Sequence, residues 1–179
     1  YAYLSKTEYE NLQAKLNIIF QKDAACGTPT HTVLYKDLCK AMKPYVETVF
    51  SKEVDQTKFE PYELEYYKDT LRIRVINNFC QSKDFSTFRM QQCGAFREEA
   101  ENALLKKYYQ KALSHLKPED KNLLIRSQQL WKKSLQSDQT LSNTITSDKY
   151  TGGGTMWVLI DFSDKMPRIQ FLYDCFAQV

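Results

Sequence analysis

Cysteines, histidines and clustered carboxylates are the residues of this chain that could do chemistry, and their spacing decides which chemistry is open. The five cysteines are Cys26, Cys39, Cys80, Cys93 and Cys175, and the two histidines are His31 and His115. A structural zinc site draws on ligand pairs two to four residues apart, and no such cluster occurs here. There is no C-x-x-C, which excludes a thioredoxin-type redox pair. Four of the cysteines instead form two pairs with one spacing, C-x12-C: Cys26 with Cys39, and Cys80 with Cys93. The repeated spacing reads as two local disulfides, each joining two helices across a short connection. Closing a loop of that size stabilises a fold by about 3 kcal/mol on chain-entropy grounds. It also implies an oxidising compartment such as the periplasm. The other reading is five free cysteines buried in a cytosolic core. Cys175 is left over in either case.

The remaining candidates point away from catalysis. His31 has no Ser or Cys with a third orienting group in a recognisable motif, and a nucleophile at Cys26 or Cys39 would need a free thiol. Glu98, Glu99 and Glu101 read as a solvated helix face, with nothing to place a substrate beside them. Gly152, Gly153 and Gly154 lack the Lys-Ser/Thr that completes a phosphate loop, so they read as a turn. His115 sits near a helix C-terminus, where a cation is favourable. Trp131 falls on an apolar stripe and reads as core. Tyr62 and Tyr66 are candidate interface anchors on one helix, because exposed tyrosine commonly anchors binding. The chain is expected to be no enzyme and to use no cofactor and no metal.

Composition sets the class. The 179 residues allow one domain or two small ones, and 42% hydrophobic content suffices for a core. Only five Gly and five Pro favour long helices over many short strands. The net charge of +3 is spread rather than gathered in a stripe, which argues against nucleic acid as a partner. The apolar run Met156–Ile160 is too short to span a bilayer. The chain opens on Tyr1, and the expectation is a periplasmic or secreted protein whose signal peptide has been removed.

Periodicity supplies the elements. Leu4 to about Gln21 reads as a helix, with Ser5 and Glu8 spaced as a capping box and Leu12, Leu16, Ile19 and Phe20 on one face. A second helix runs from His31 or Thr32 to Phe50, with Leu34, Leu38, Met42, Tyr45, Val46 and Val49 inward and Pro44 expected to kink it. Residues 54–59 read as a linker. Pro61 opens a third helix that ends near Cys80. The fourth and longest runs from about Thr87 to Leu116, on a stripe of Phe88, Cys93, Phe96, Ala100, Leu104, Tyr108, Ala112 and Leu116. Pro118 opens a fifth, with Leu123, Leu124, Ser127, Trp131 and Leu135 inward. Residues 137–154 are polar and end in glycine, and read as a long loop. Asp164 is spaced to cap a final helix to about Ala177, with Met166, Ile169, Leu172, Tyr173 and Phe176 inward. The fold expected is all-α, a disulfide-stapled bundle of about six helices with one long loop near 137–155. Two regions, 1–79 and 80–179, are expected to pack as one unit.

From Cys80 onward the order of residues resembles the lysozyme-inhibitor LprI-like module of bacterial envelope proteins. The matching residues are Cys80, Cys93, Glu101, Leu104-Leu105 and Tyr108, with Leu105 in the place of an Asn. Gln128 and Trp131 match an Ala-Gln-x-x-Trp block, and Gly152-Gly153-Gly154-Thr155 matches a Gly-Gly-Ser loop. Lys165, Arg168 and Leu172 match a closing Thr-x-x-Arg-x-x-x-Leu helix. The resemblance covers about half the chain. It departs from the family at a second disulfide, whose two places hold about Gln139 and Ile160 or Asp161, and at an Arg near the Trp.

The resemblance implies a secreted or periplasmic helical protein that binds a cell-wall hydrolase. Glu101, Leu104, Tyr108, Gln128, Trp131, Gly153, Gly154, Arg168 and Leu172 would carry the family's structure. Contacts to the partner are expected from Tyr62, Tyr66, Tyr150, Gly152 and Thr155. A +3 chain lacks the field that would attract a strongly basic lysozyme. The expected partner is therefore a more particular hydrolase, such as a secreted antibacterial effector, with this chain as its immunity factor. The alternative is an envelope adaptor that inhibits nothing.

Overall fold

Segments with helical periodicity and few Gly or Pro become helices throughout the structure, a computed structural model that describes residues 3–24, 31–80, 87–145 and 165–178. Six α-helices occur among these residues: α1 (Lys6–Ala24), α2 (His31–Glu53), α3 (Pro61–Cys80), α4 (Thr87–His115), α5 (Pro118–Ile145) and α6 (Met166–Ala177). A short 3₁₀ turn at Gln56–Lys58 joins α2 to α3. No strand occurs among the described residues. The chain forms two compact units, Tyr1–Ala100 and Glu101–Val179, with the boundary inside α4.

In the first unit, local chemistry sets the helix ends. Ser5 and Glu8 form a reciprocal capping box: the Ser5 backbone N–H donates to Glu8 Oε2 at 2.8 Å, and the Glu8 N–H donates to Ser5 Oγ at 3.3 Å. These bonds hold the Glu8 carboxyl below its ordinary pKa, the backbone bond contributing most. Glu63 closes the start of α3 by accepting from the Glu60 N–H at 2.8 Å. Asp55 caps the 3₁₀ turn by accepting from the Thr57 N–H.

The core of this unit is aromatic at one end and aliphatic along α2. Phe20 meets Phe79 at 5.4 Å and Phe96 edge-on at 5.1 Å between ring centres. Gln92, buried, donates to the Phe20 carbonyl at 2.8 Å, which satisfies an acceptor near the end of α1. The expected α2 stripe is buried in full, from Leu34 to Val49. Pro44 removes one donor from α2. A cavity of about 210 Å³ opens beside it, lined by Leu12, Lys15, Pro44 and Tyr45 among others. Two carboxylates tie α2 and α3. Glu53 accepts from Tyr67 and Arg74, and Glu47 accepts from Lys68 at 3.0 Å.

Two expectations change in this unit. Cys39 carries a free thiol, so the Cys26–Cys39 disulfide is not formed. Its position explains why: Cys39 lies inside α2, one turn after Tyr35, and is hydrogen-bonded to Tyr35 and close to Arg72 of α3. Burial pushes its thiol pKa up, against the pull of Tyr35 and Arg72. Cys26 lies outside the described residues. Cys93 is buried. Tyr62 and Tyr66 are half-buried and engaged in contacts, rather than standing out as exposed anchors.

In the second unit, α5 is the main surprise. It continues to Ile145, so residues 137–145 are helix where a loop was expected. The hydroxyls are accommodated on the helix. Ser137, Thr140 and Thr144 donate to the carbonyls of Lys133, Gln136 and Thr140, each four residues back. Polar residues that signal a loop can thus sit on a helix when no Gly or Pro interrupts them, and none does before Gly152. The rest of the expected loop lies outside the described residues. The same holds for Asp164, expected to cap α6; the residue before that helix is Lys165, which makes no side-chain cap bond.

The α5 assignment is open to a direct test. Gln139→Pro would remove a donor inside the helix and clash one turn back, at a cost of about 3 kcal/mol. The expected result is a lower urea midpoint with a smaller helical signal in circular dichroism. A variant with unchanged stability and helicity would return 137–145 to loop.

Candidate interaction site

Two helices of the second unit, α5 and α6, meet at one guanidinium. α4 supplies an inward stripe on which Ala100 gives way to Glu101, Leu104, Tyr108 and Ala112, all buried. α5 turns Leu124 and Gln128 inward, at 5% and 4% exposure. α6 buries Ile169 and Leu172 completely, which directs Arg168 and Phe171 to the side of that contact. The α6 spacing does this: residues three and four apart share a face, and neighbours in sequence do not.

Arg168 is then held by neutral groups. Its Nε donates to Gln128 Oε1 at 2.9 Å, and one Nη donates to Ser127 Oγ at 3.0 Å. Its guanidinium lies 5.7 Å from the Trp131 ring and 4.6 Å from the Phe171 ring, within cation–π range. No carboxylate pairs with it among the described residues. Burial pushes the Arg168 guanidinium below its ordinary pKa, and Cys175 pulls it back up. Arg168 stays a cation in any case, because guanidinium does not deprotonate in proteins.

The surroundings fix this arrangement in place. Lys165, 5% exposed, donates to Asn102 Oδ1 at 2.8 Å and anchors the start of α6 on α4. Tyr108 meets Tyr173 edge-on at 5.8 Å. His115 meets Phe176 edge-on at 4.6 Å and lies 3.0 Å from the Lys111 carbonyl, the structural role its place near a helix end suggested. Cys175 is a free thiol, raised by burial.

The sequence-expected residues divide clearly. Glu101, Leu104, Tyr108, Gln128, Trp131, Arg168 and Leu172 all belong to this unit, and Gln128, Trp131 and Arg168 touch. Glu101 is buried at 4%, where a solvated face was expected, because it falls on the α4 stripe two turns before Tyr108. Trp131 is half-buried and serves as a platform rather than as full core. Leu123, expected inward, is 67% exposed; Leu124 takes the inward place one residue on. Cys80 has no described side chain, and Tyr150, Gly152, Gly153, Gly154 and Thr155 lie outside the described residues.

Sequence reading missed Ser127 as an Arg168 partner and Phe171 as its second ring. The available signal was spacing: Ser127 is one turn before Trp131, and Phe171 is one turn after Arg168. Among the described residues no group of three His, Cys, Asp or Glu is placed to hold a metal. No helix among them is long and apolar enough to cross a membrane. Comparisons of the chain with protein-family models, with curated proteins and with solved structures found no match.

What the arrangement can do chemically is present a fixed, positive, aromatic-flanked surface. Its internal strength is measurable by a double-mutant cycle. Arg168→Met strips the buried Gln128 Oε1 of its donor, at a cost of about 1–3 kcal/mol. Adding Gln128→Met should recover part of that loss, since both polar partners are then gone. Additive losses in urea unfolding would show that the two residues do not interact.

Proposed function

We propose that the chain is a binding protein of the bacterial envelope, built on an LprI-like module, that blocks a hydrolase acting on that envelope. It would act by covering the enzyme's cleft or a surface the enzyme needs, with no chemistry of its own. The observation that supports this reading most is the meeting of Gln128, Trp131 and Arg168. The resemblance matches these three residues in order along some forty positions of sequence, and they contact one another in space. Leu172 and Tyr108, matched in the same way, are buried in the same unit.

The reading carries a disulfide between Cys80 and Cys93. Cys80 ends α3 and Cys93 lies in the second turn of α4, with six residues between the helices. Cys39 and Cys175 are free, which leaves Cys26 as the competing partner for Cys93. Alkylation in denaturant without reductant should find three thiols, and a non-reducing peptide map should show Cys80 linked to Cys93. A Cys26–Cys93 link, or five free thiols, would remove the staple from the proposal.

The functional test is inhibition. The protein should form a stoichiometric complex with a wall- or lipid-degrading enzyme of the envelope or with a secreted antibacterial hydrolase, and should lower that enzyme's activity. A stable complex with full activity would point to an adaptor instead. Absence of binding to any such enzyme would sink the proposal.

A further inference from the structure

We propose that the Trp131–Arg168–Phe171 platform, with Leu130 beside it, is the docking surface, and that it takes a partner segment presenting a carboxylate among apolar side chains. The proposal deepens the function above and rests on it for the existence of a partner.

The argument starts from donors left over. A guanidinium has five N–H groups in a rigid fork. Arg168 uses one on Gln128 and one on Ser127, through Nε and one Nη. Three N–H groups have no partner among the described residues, and together they retain an end-on edge suited to bidentate carboxylate. Arg168 is only half-buried, and part of it is open to a partner.

Rigidity comes next. Two hydrogen bonds and two rings fix the guanidinium before any partner arrives, so little rotamer freedom is lost on binding. Tryptophan and arginine in such a setting are the residue types that dominate binding energy at interfaces.

The rim is apolar. Phe171 is 42% exposed and Leu130 58% exposed. Leu130 lies one turn from Ser127 on α5, and Leu123 lies one turn to its other side at 67% exposure. Both leucines are exposed and lie one turn from Ser127, which holds Arg168.

Charge selects the sign of the occupant. Residues 101–179 hold eleven Lys and Arg against eight Asp and Glu, whereas residues 1–100 hold fourteen of each. All of the net +3 therefore belongs to the unit that contains Arg168. A partner surface of negative charge would be attracted to it, and a basic one repelled.

The test does not require the hydrolase. Acetyl-Leu-Glu-Leu-amide and its glutamine counterpart, acetyl-Leu-Gln-Leu-amide, are titrated at millimolar concentration into ¹⁵N-labelled protein. The expected result is a shift of the Arg168 Nε–H and Trp131 indole signals with the glutamate peptide, and binding weaker by about fivefold or more with the glutamine peptide. Arg168→Gln should abolish the difference. Leu130→Ser changes only an exposed position, so its fold should persist, and it should weaken the glutamate peptide's binding. Equal shifts with both peptides, or none, would overturn the proposal. So would a dimer in sedimentation that Leu130→Ser dissociates, since a second copy would then occupy the face. Because the peptides probe the surface alone, a positive titration stands even if no hydrolase is inhibited.

Discussion

A half-buried cation with no carboxylate partner among the described residues sets the terms for the second unit. Removing a guanidinium from water without compensation is costly, so its surroundings must supply acceptors and polarisable faces. α5 meets that need with Ser127, Gln128 and Trp131, at successive and one-turn positions of a single helix. α6 meets it with Phe171, one turn from the cation itself. The fully buried Ile169 and Leu172 then fix how far α6 sits along the helices it packs on. Neutral acceptors satisfy Arg168 enough to hold it and not enough to neutralise it.

Legibility in the sequence followed the range of the interactions. The Ser5–Glu8 box needs only three residues of spacing, and it formed as read. The stripes of α2 and α4 needed only a period, and their burial runs from Leu34 to Val49 and from Cys93 to Ala112. The end of α5 was misread because Ser and Thr serve two masters. They favour turns when their hydroxyls compete with the backbone, and they accept a helix when those hydroxyls bond to the carbonyl one turn back. The C-x12-C repeat misled at Cys39 because spacing carries no direction. A cysteine inside α2 faces whatever lies on its side of the helix, and here that is Tyr35 one turn back and Arg72 of α3. Leu123 and Leu124 show the same limit at finer scale, since both fit an apolar stripe and only packing chooses between them.

The candidate site was half legible for a related reason. Motif residues on different helices can be named in order from sequence, and Gln128, Trp131 and Arg168 were. Their contact depends on the return of α6 to the middle of α5, which no local pattern encodes. Ser127 and Phe171 went unnamed because their part appears only once Arg168 is in place. In the first unit, by contrast, Arg72 has Asp69 at 2.9 Å, and Arg74 has Glu53. The Arg74–Glu53 pair ties α3 to α2, while a cation with no carboxylate partner among the described residues can accept one from outside.

The claim that Arg168 is the lock between α5 and α6 is tested most directly by amide hydrogen exchange. The account predicts that Arg168→Met speeds exchange through Met166–Ala177 by about tenfold or more, while amides of α3, Pro61–Cys80, keep their protection. Unchanged protection across α6 would contradict it, because the helix would then be held by its apolar contacts alone.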